Sequence, residues 1–243
     1  MIRLCALAVA AGLASAAITS PATAGDIAQL DILGFSADGK IFAFEEYGTQ
    51  DGSGFPYANR FYIDTARDEF LANTPIRVRL DDEAKSVADA RAQARAQGQT
   101  IVTDATLDEN RGYLAGFNSV TELSAATDHI SVNPRPVEPA IDQELSFRLE
   151  QFELAPPAGA CDGFDGISGF RLLRSTDEAD EQEIVHEDKA IPQSRRCPTG
   201  YRLSGVQTFY PKDGPPVYAV IVAVRSVGFE GPDYRFIALT GNF

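Results

Sequence analysis

Three acidic side chains, Glu46, Asp51 and Asp64, lie near one another in the sequence and are candidates for paired-carboxylate chemistry. Hydrolysis of a glycosidic bond needs two carboxyl groups about 5–9 Å apart, one of them held protonated. Many such pairs can be drawn in a chain with 35 acidic residues, so pairing in sequence is a weak signal. Glu45 and Glu46 are adjacent on an expected strand, which sends them to opposite faces. They cannot act together; one is expected to turn inward with the aromatics or to meet Arg60.

Other chemistries find less support. A serine hydrolase needs a nucleophile elbow and a histidine base, but the chain has no Gly-x-Ser-x-Gly. Its two histidines, His129 and His186, read as surface or strand-edge residues. Zinc lacks a ligand set, and neither a phosphate loop nor a dinucleotide fingerprint is present. No cofactor is expected. The loop "CDGFDG" places Asp162 and Asp165 among glycines, a weak calcium candidate whose spacing departs from the Asp-x-Asp-x-Asp pattern. Turn formation accounts for it more simply.

The chemistry must be placed in a compartment. Residues 1–24 carry Arg3 as their one charge, then the apolar "LCALAVAAGLASAAI" and the small-x-small exit Ala22-Thr23-Ala24. That order reads as a secretory signal peptide, and the apolar run is too short and alanine-rich for a membrane anchor. Residues 25–243 then form one expected β-rich secreted domain with no further span. Losing residues 1–24 removes Arg3 and no acid, leaving 20 basic against 35 acidic side chains, net −15. Such a field repels nucleic acid and anionic membrane surfaces. Two cysteines remain, Cys161 and Cys197, and in an oxidising compartment they are expected to pair. The bridge would add about 4 kcal/mol in the chain-entropy model.

The patterning calls for strands. "GFSADGKIFAFEEYG" is a hairpin like the opening of a propeller blade: an apolar run, an Asp38-Gly39 turn and a second apolar run with Phe42, Phe44 and Glu46 on one face. A four-bladed propeller needs sixteen strands, and about ten are legible. "QELSFRLEQFEL" switches its apolar face, which suggests a bulge near Glu150-Gln151. Residues 82–98 interrupt the strands with good helix formers and an alanine face, expected to lie outside a sheet. The acidic stretch from Ser175 to Asp188 is expected to be a solvated hairpin tip or a mobile loop. The fold class is therefore mainly β (α+β): antiparallel sheets, sandwich-like or incomplete-propeller-like, with one helical insertion around residues 82–98.

The two chain ends echo one another. "TFYPKDGPPVYAVIVAV" repeats the aromatic, Asp-Gly, apolar-strand order, and each copy is followed by a Gly-rich loop and Arg-Phe. "PVYAVIVAVRSV" is too apolar for an edge, and the N-terminal hairpin is its expected neighbour. That pairing would present Phe55, Tyr57, Phe229, Glu230 and Tyr234 as a shared binding surface, the alternative being that these aromatics cap the core.

"GFSADGKIFAFEEYGTQDGSGFPYANRFYID", "SRRCPTGYRLSGV" and "GFEGPDYRFIAL" together resemble the secreted bacterial proteins grouped as domain of unknown function 2259. The resemblance spans nearly all of residues 25–243 and implies secretion and a single domain. It supplies no catalytic residues to carry over. The functional expectation is a non-enzymatic periplasmic or secreted domain that binds a protein or ligand of the cell envelope. The alternative is a carboxylate-dependent hydrolase of an envelope polymer.

Overall fold

The computed structural model describes residues 25–157, 159–161, 163, 166–175, 182–229 and 231–243. The expected signal peptide lies outside them, as do Asp162, Asp165, Glu230 and residues 176–181 of the acidic stretch. The described residues form thirteen strands in three open antiparallel sheets, two α-helices and a short 3-10 turn.

The first sheet holds β1 (Gln29–Phe35), β2 (Ile41–Thr49), β3 (Pro56–Asp64), β4 (Glu69–Phe70) and β5 (Ile76–Arg79). After β5 come α1 (Val87–Gly98) and α2 (Asp104–Glu109). The second sheet has the order β13 (Pro232–Asn242), β12 (Val217–Val227), β11 (Pro198–Phe209), β6 (Tyr113–Phe117). The third has the order β10 (Gln182–Glu187), β9 (Ile167–Ser175), β8 (Leu145–Leu154), β7 (His129–Val132).

The second sheet lies between the other two, and β12 records this in its sequence. Val217, Ala219, Ile221 and Ala223 pack against Phe35, Phe42, Phe44 and Phe61 of the first sheet. The intervening Tyr218, Val220, Val222 and Val224 pack against Phe147, Leu149 and Leu172 of the third. A strand buried on both faces reads as a continuous apolar run instead of an alternation. The sandwich-like expectation thus holds as a stack of three layers.

The neighbours of β12 are β11 and β13, not the N-terminal hairpin. That hairpin meets the second sheet face to face, since its phenylalanines are better buried across a layer than along a ladder. The expected bulge in β8 is also absent: β8 pairs β9 without a register shift from Phe147 to Leu154. Phe152 and Leu154 instead sit half-buried on the outer face, where Gly169 leaves room for both.

The helical insertion covers the outer face of the first sheet. Its helix starts at Val87, later than expected, because Ser86 caps it: Ser86 Oγ accepts the Asp89 N–H at 3.2 Å and Asp89 accepts the Ser86 N–H at 2.8 Å. Ala90, Ala94 and Gly98 form its buried seam. A Cβ at Gly98 would stand 2.1 Å from the Tyr62 hydroxyl, so only glycine lets this helix end settle over Arg60 and Tyr62. α2 is short, and Leu107 is its one buried residue.

Candidate functional site

The site grows from the free edge of β13. On an edge strand every second residue points its N–H and C=O away from the sheet. On β13 that outward row is Tyr234, Phe236, Ala238 and Thr240. The chain's own residues 26–28 pair with it first: Tyr234 donates to the Asp26 carbonyl at 3.0 Å and accepts from the Ala28 N–H at 3.1 Å. Next, the Phe236 N–H donates to Glu46 Oε2 at 2.8 Å. The Thr240 N–H donates to Asp68 Oδ1 at 2.7 Å, and the Thr240 hydroxyl adds a bond to the same oxygen at 3.0 Å. Ala238, between them, has no partner for its N–H among the described residues.

Around that gap is a groove of about 490 Å³. Its floor is the Phe236–Leu239 part of β13. One wall comes from the first sheet, with Phe61, Ile63, Phe70 and Arg77. The other comes from the end of β10 and the turn before β11, with His186, Pro192, Arg195 and Arg196. All three layers therefore contribute. A larger open hollow of about 930 Å³ lies beside β6, but its only charged residues are Arg135 and Glu138. Arg135 is committed there to Asp142 at 2.6 Å.

Most charges of the groove are spoken for. Burial pushes the Glu46 carboxyl above its ordinary value, against hydrogen bonds from Phe236 and Asn59. Burial likewise raises Asp68, against its bonds from Thr240. Burial also pushes Asp188 upward, but His186 at 2.9 Å and Arg195 at 2.6 Å outweigh it and hold the carboxyl below its usual value. The His186 ring stacks on Phe170 with centroids 4.9 Å apart. Arg235 is bound to Asp26 and lies over the Tyr57 ring at 4.7 Å. Arg77, over the Phe61 ring at 5.7 Å, and Arg196 are the groove guanidiniums that make no ion pair among the described residues.

Of the candidate carboxylates, Glu46 and Asp64 do not converge. Glu46 stands opposite Asn59, whereas Asp64 stands opposite Ile41, five residues along β3 and on the other face. That separation is about 17 Å at ~3.3 Å per residue. Asp64 ends β3 by accepting the Ala66 and Arg67 N–H groups, both at 3.1 Å. Asp51 lies in the turn beyond β2. Glu45 meets Arg60 at 3.3 Å and Arg91 at 2.9 Å beneath α1. Both alternatives raised for the Glu45-Glu46 pair are realised, one by each residue.

The two Gly-aromatic loops do meet, with Phe229 set against Gly52. They do not form an aromatic surface. Tyr57 is buried in the core and donates to Asp26 Oδ1 at 3.0 Å. Phe55 and Tyr234 are half-buried, and Phe229 alone is open, at 80 % exposure. Tyr57 turns inward because Pro56 starts β3 and puts the tyrosine on a core-facing position.

Cys161 and Cys197 form a disulfide. It ties the β8–β9 connection to the turn that carries Arg195 and Arg196, and so secures one wall of the groove. Among the described residues no group of three His, Cys, Asp or Glu side chains is placed to hold a metal ion. No helix among them is long and apolar enough to cross a membrane.

A family model described as "Predicted secreted protein (DUF2259)" matches residues 43–242. The chain belongs to this family. The match includes nearly all of β2, the groove walls, the disulfide and all of β13. Searches of curated proteins and of solved structures find no match.

Asp68, Arg77, Arg196 and Ala238 were not singled out from the sequence. Asp68 had one weak signal, an acid in the turn "TARDEF" that takes a positive φ of 54°. The others acquire meaning only through β13, far along the chain.

Proposed function

We propose that this secreted protein is a non-enzymatic binding domain of the periplasm or cell envelope, formed by residues 25–243, with its ligand site in the β13 groove. The observation that carries this is the state of the groove's charges. Glu46 and Asp68 are bound to the protein's own backbone and Arg195 and Arg235 to its own acids, while Arg77, Arg196 and the exposed Glu69 stay open around an apolar floor. Glu46 and Asp68, the two acids with raised pKa, cap N–H groups four residues apart on one strand. That spacing is about 13 Å, beyond the 5–9.5 Å of glycosidase pairs. A concave site with a largely apolar lining and few open polar groups suits holding a ligand. The proposed ligand is an amphipathic molecule with an anionic group, presented by an envelope protein or found free there.

Anilinonaphthalene sulfonate, an aromatic anion, is a suitable probe. We expect saturable binding of one molecule per folded chain, lost in Arg196→Glu and kept in Phe229→Ala. Binding at several sites, or binding indifferent to Arg196→Glu, would overturn the reading.

A further inference from the structure

The groove contains an unfinished strand pairing. Along the outward row of β13, residues 26–28 already add as a short parallel strand at Tyr234. Two carboxylates then take the place of strand carbonyls at Phe236 and Thr240. Arg174 donates to the Asn242 carbonyl at 2.8 Å and closes the far end. Between the capped positions the Ala238 N–H and the carbonyls of Phe236 and Ala238 face the groove without partners among the described residues. Open backbone groups along a sheet edge are a template for another strand, and carboxylates at both sides limit how long that strand can be. The capped N–H groups are about 13 Å apart, the span of three or four extended residues.

We propose that the groove takes a short extended segment of an acidic peptide, which adds to β13 as a strand at Ala238. This rests on the groove being the binding site and names what it binds. Side chains of an added strand alternate between the two sides. One set would face Phe61, Ile63 and Phe70. The other would face Pro192, His186 and Arg196. Acidic side chains on the second set meet the open Arg196, with Arg77 at the opposite rim. Main-chain bonds at Ala238 would supply register, and the two guanidiniums would supply selection for negative charge in a chain that is otherwise strongly acidic.

The test titrates the protein with acetyl-Glu-Val-Glu-amide and with two singly N-methylated forms, one methylated at Val and one at the second Glu. Successive amides of a strand point in opposite directions, so strand addition uses one of these N–H groups and leaves the other in solvent. We expect one methylated form to lose at least about ten-fold in affinity and the other to stay within about two-fold, since a lost hydrogen bond to a buried partner is costly and a solvated one is not. Arg196→Glu should weaken the parent peptide by a similar factor. Ala238→Pro should abolish its binding, because the N–H it removes points off the sheet, where proline is tolerated. Equal behaviour of the two methylated forms would overturn strand addition. Anilinonaphthalene sulfonate, titrated in parallel, separates the two claims. If it binds and the peptide does not, the groove stands as a binding site and strand addition fails; if neither binds, both fail.

Discussion

The Glu46 carboxylate accepts the backbone N–H of Phe236 at 2.8 Å, across 190 positions of sequence. This bond ties the N-terminal hairpin to the free edge of the middle sheet. Burial raises the Glu46 pKa above its ordinary 4.5, so the folded protein holds this proton more tightly than the unfolded chain does. The resulting stabilisation is complete below 4.5 and is lost as pH rises through the raised folded value. Glu46→Gln lacks the titration. The stability of the wild type minus that of Glu46→Gln should therefore fall as pH rises above 4.5, as read from urea unfolding at each pH. Glu46→Ala leaves the Phe236 N–H without its acceptor and should cost about 1–3 kcal/mol.

Arg60 is fully buried beneath α1, between Glu45 at 3.3 Å and Asp104 at 2.8 Å. Its removal takes one of two guanidinium partners from the buried Glu45, which keeps Arg91 at 2.9 Å, and breaks a buried ion pair. Arg60→Met should destabilise by about 3–5 kcal/mol. Arg79→Met, which breaks the exposed pair with Asp81, should leave the denaturation midpoint unchanged.

The disulfide closes a loop of 36 positions. Mass analysis of the unreduced, unfolded protein should find no alkylatable thiol on Cys161 or Cys197. The double Ser variant should lose about 2–4 kcal/mol. It should also bind anilinonaphthalene sulfonate more weakly, because the turn bearing Arg195 and Arg196 loses its anchor.

Tyr57, at the start of β3, and Phe229, in the β12–β13 turn, should respond differently. Tyr57→Ala empties a core position and removes one donor from Asp26, which keeps Arg235, and should cost about 3–5 kcal/mol. Phe229→Ala removes an exposed ring and should change stability by less than about 0.5 kcal/mol. Thermal unfolding of the two variants measures both.

Much of the fold was legible because it is written in local patterns. The alternation of Phe42, Phe44 and Glu46 placed one face of β2, and Asp38-Gly39 placed its turn. The unbroken apolar run of β12 marked a strand buried on both sides. The run could not tell whether its partners lay beside it or above it, because both arrangements bury the same residues. The site was less legible. Glu46 was visible as an inward acid, but its partner is a backbone N–H, and every residue except proline has one. Ala238 matters through what its N–H lacks, a property of sheet order that no residue type encodes. Tyr57 illustrates the converse error: an aromatic beside glycines suggested a surface, yet strand parity turned it inward.

The central claim is that ligands enter the groove over β13. Amide chemical-shift mapping of the isotope-labelled protein, titrated with anilinonaphthalene sulfonate, tests this most directly. The account predicts the largest shifts at Phe70, Arg77, Arg196 and Ala238, with Gly52 and Phe229 unmoved. Shifts centred on Gly52 and Phe229, with Ala238 unchanged, would contradict it.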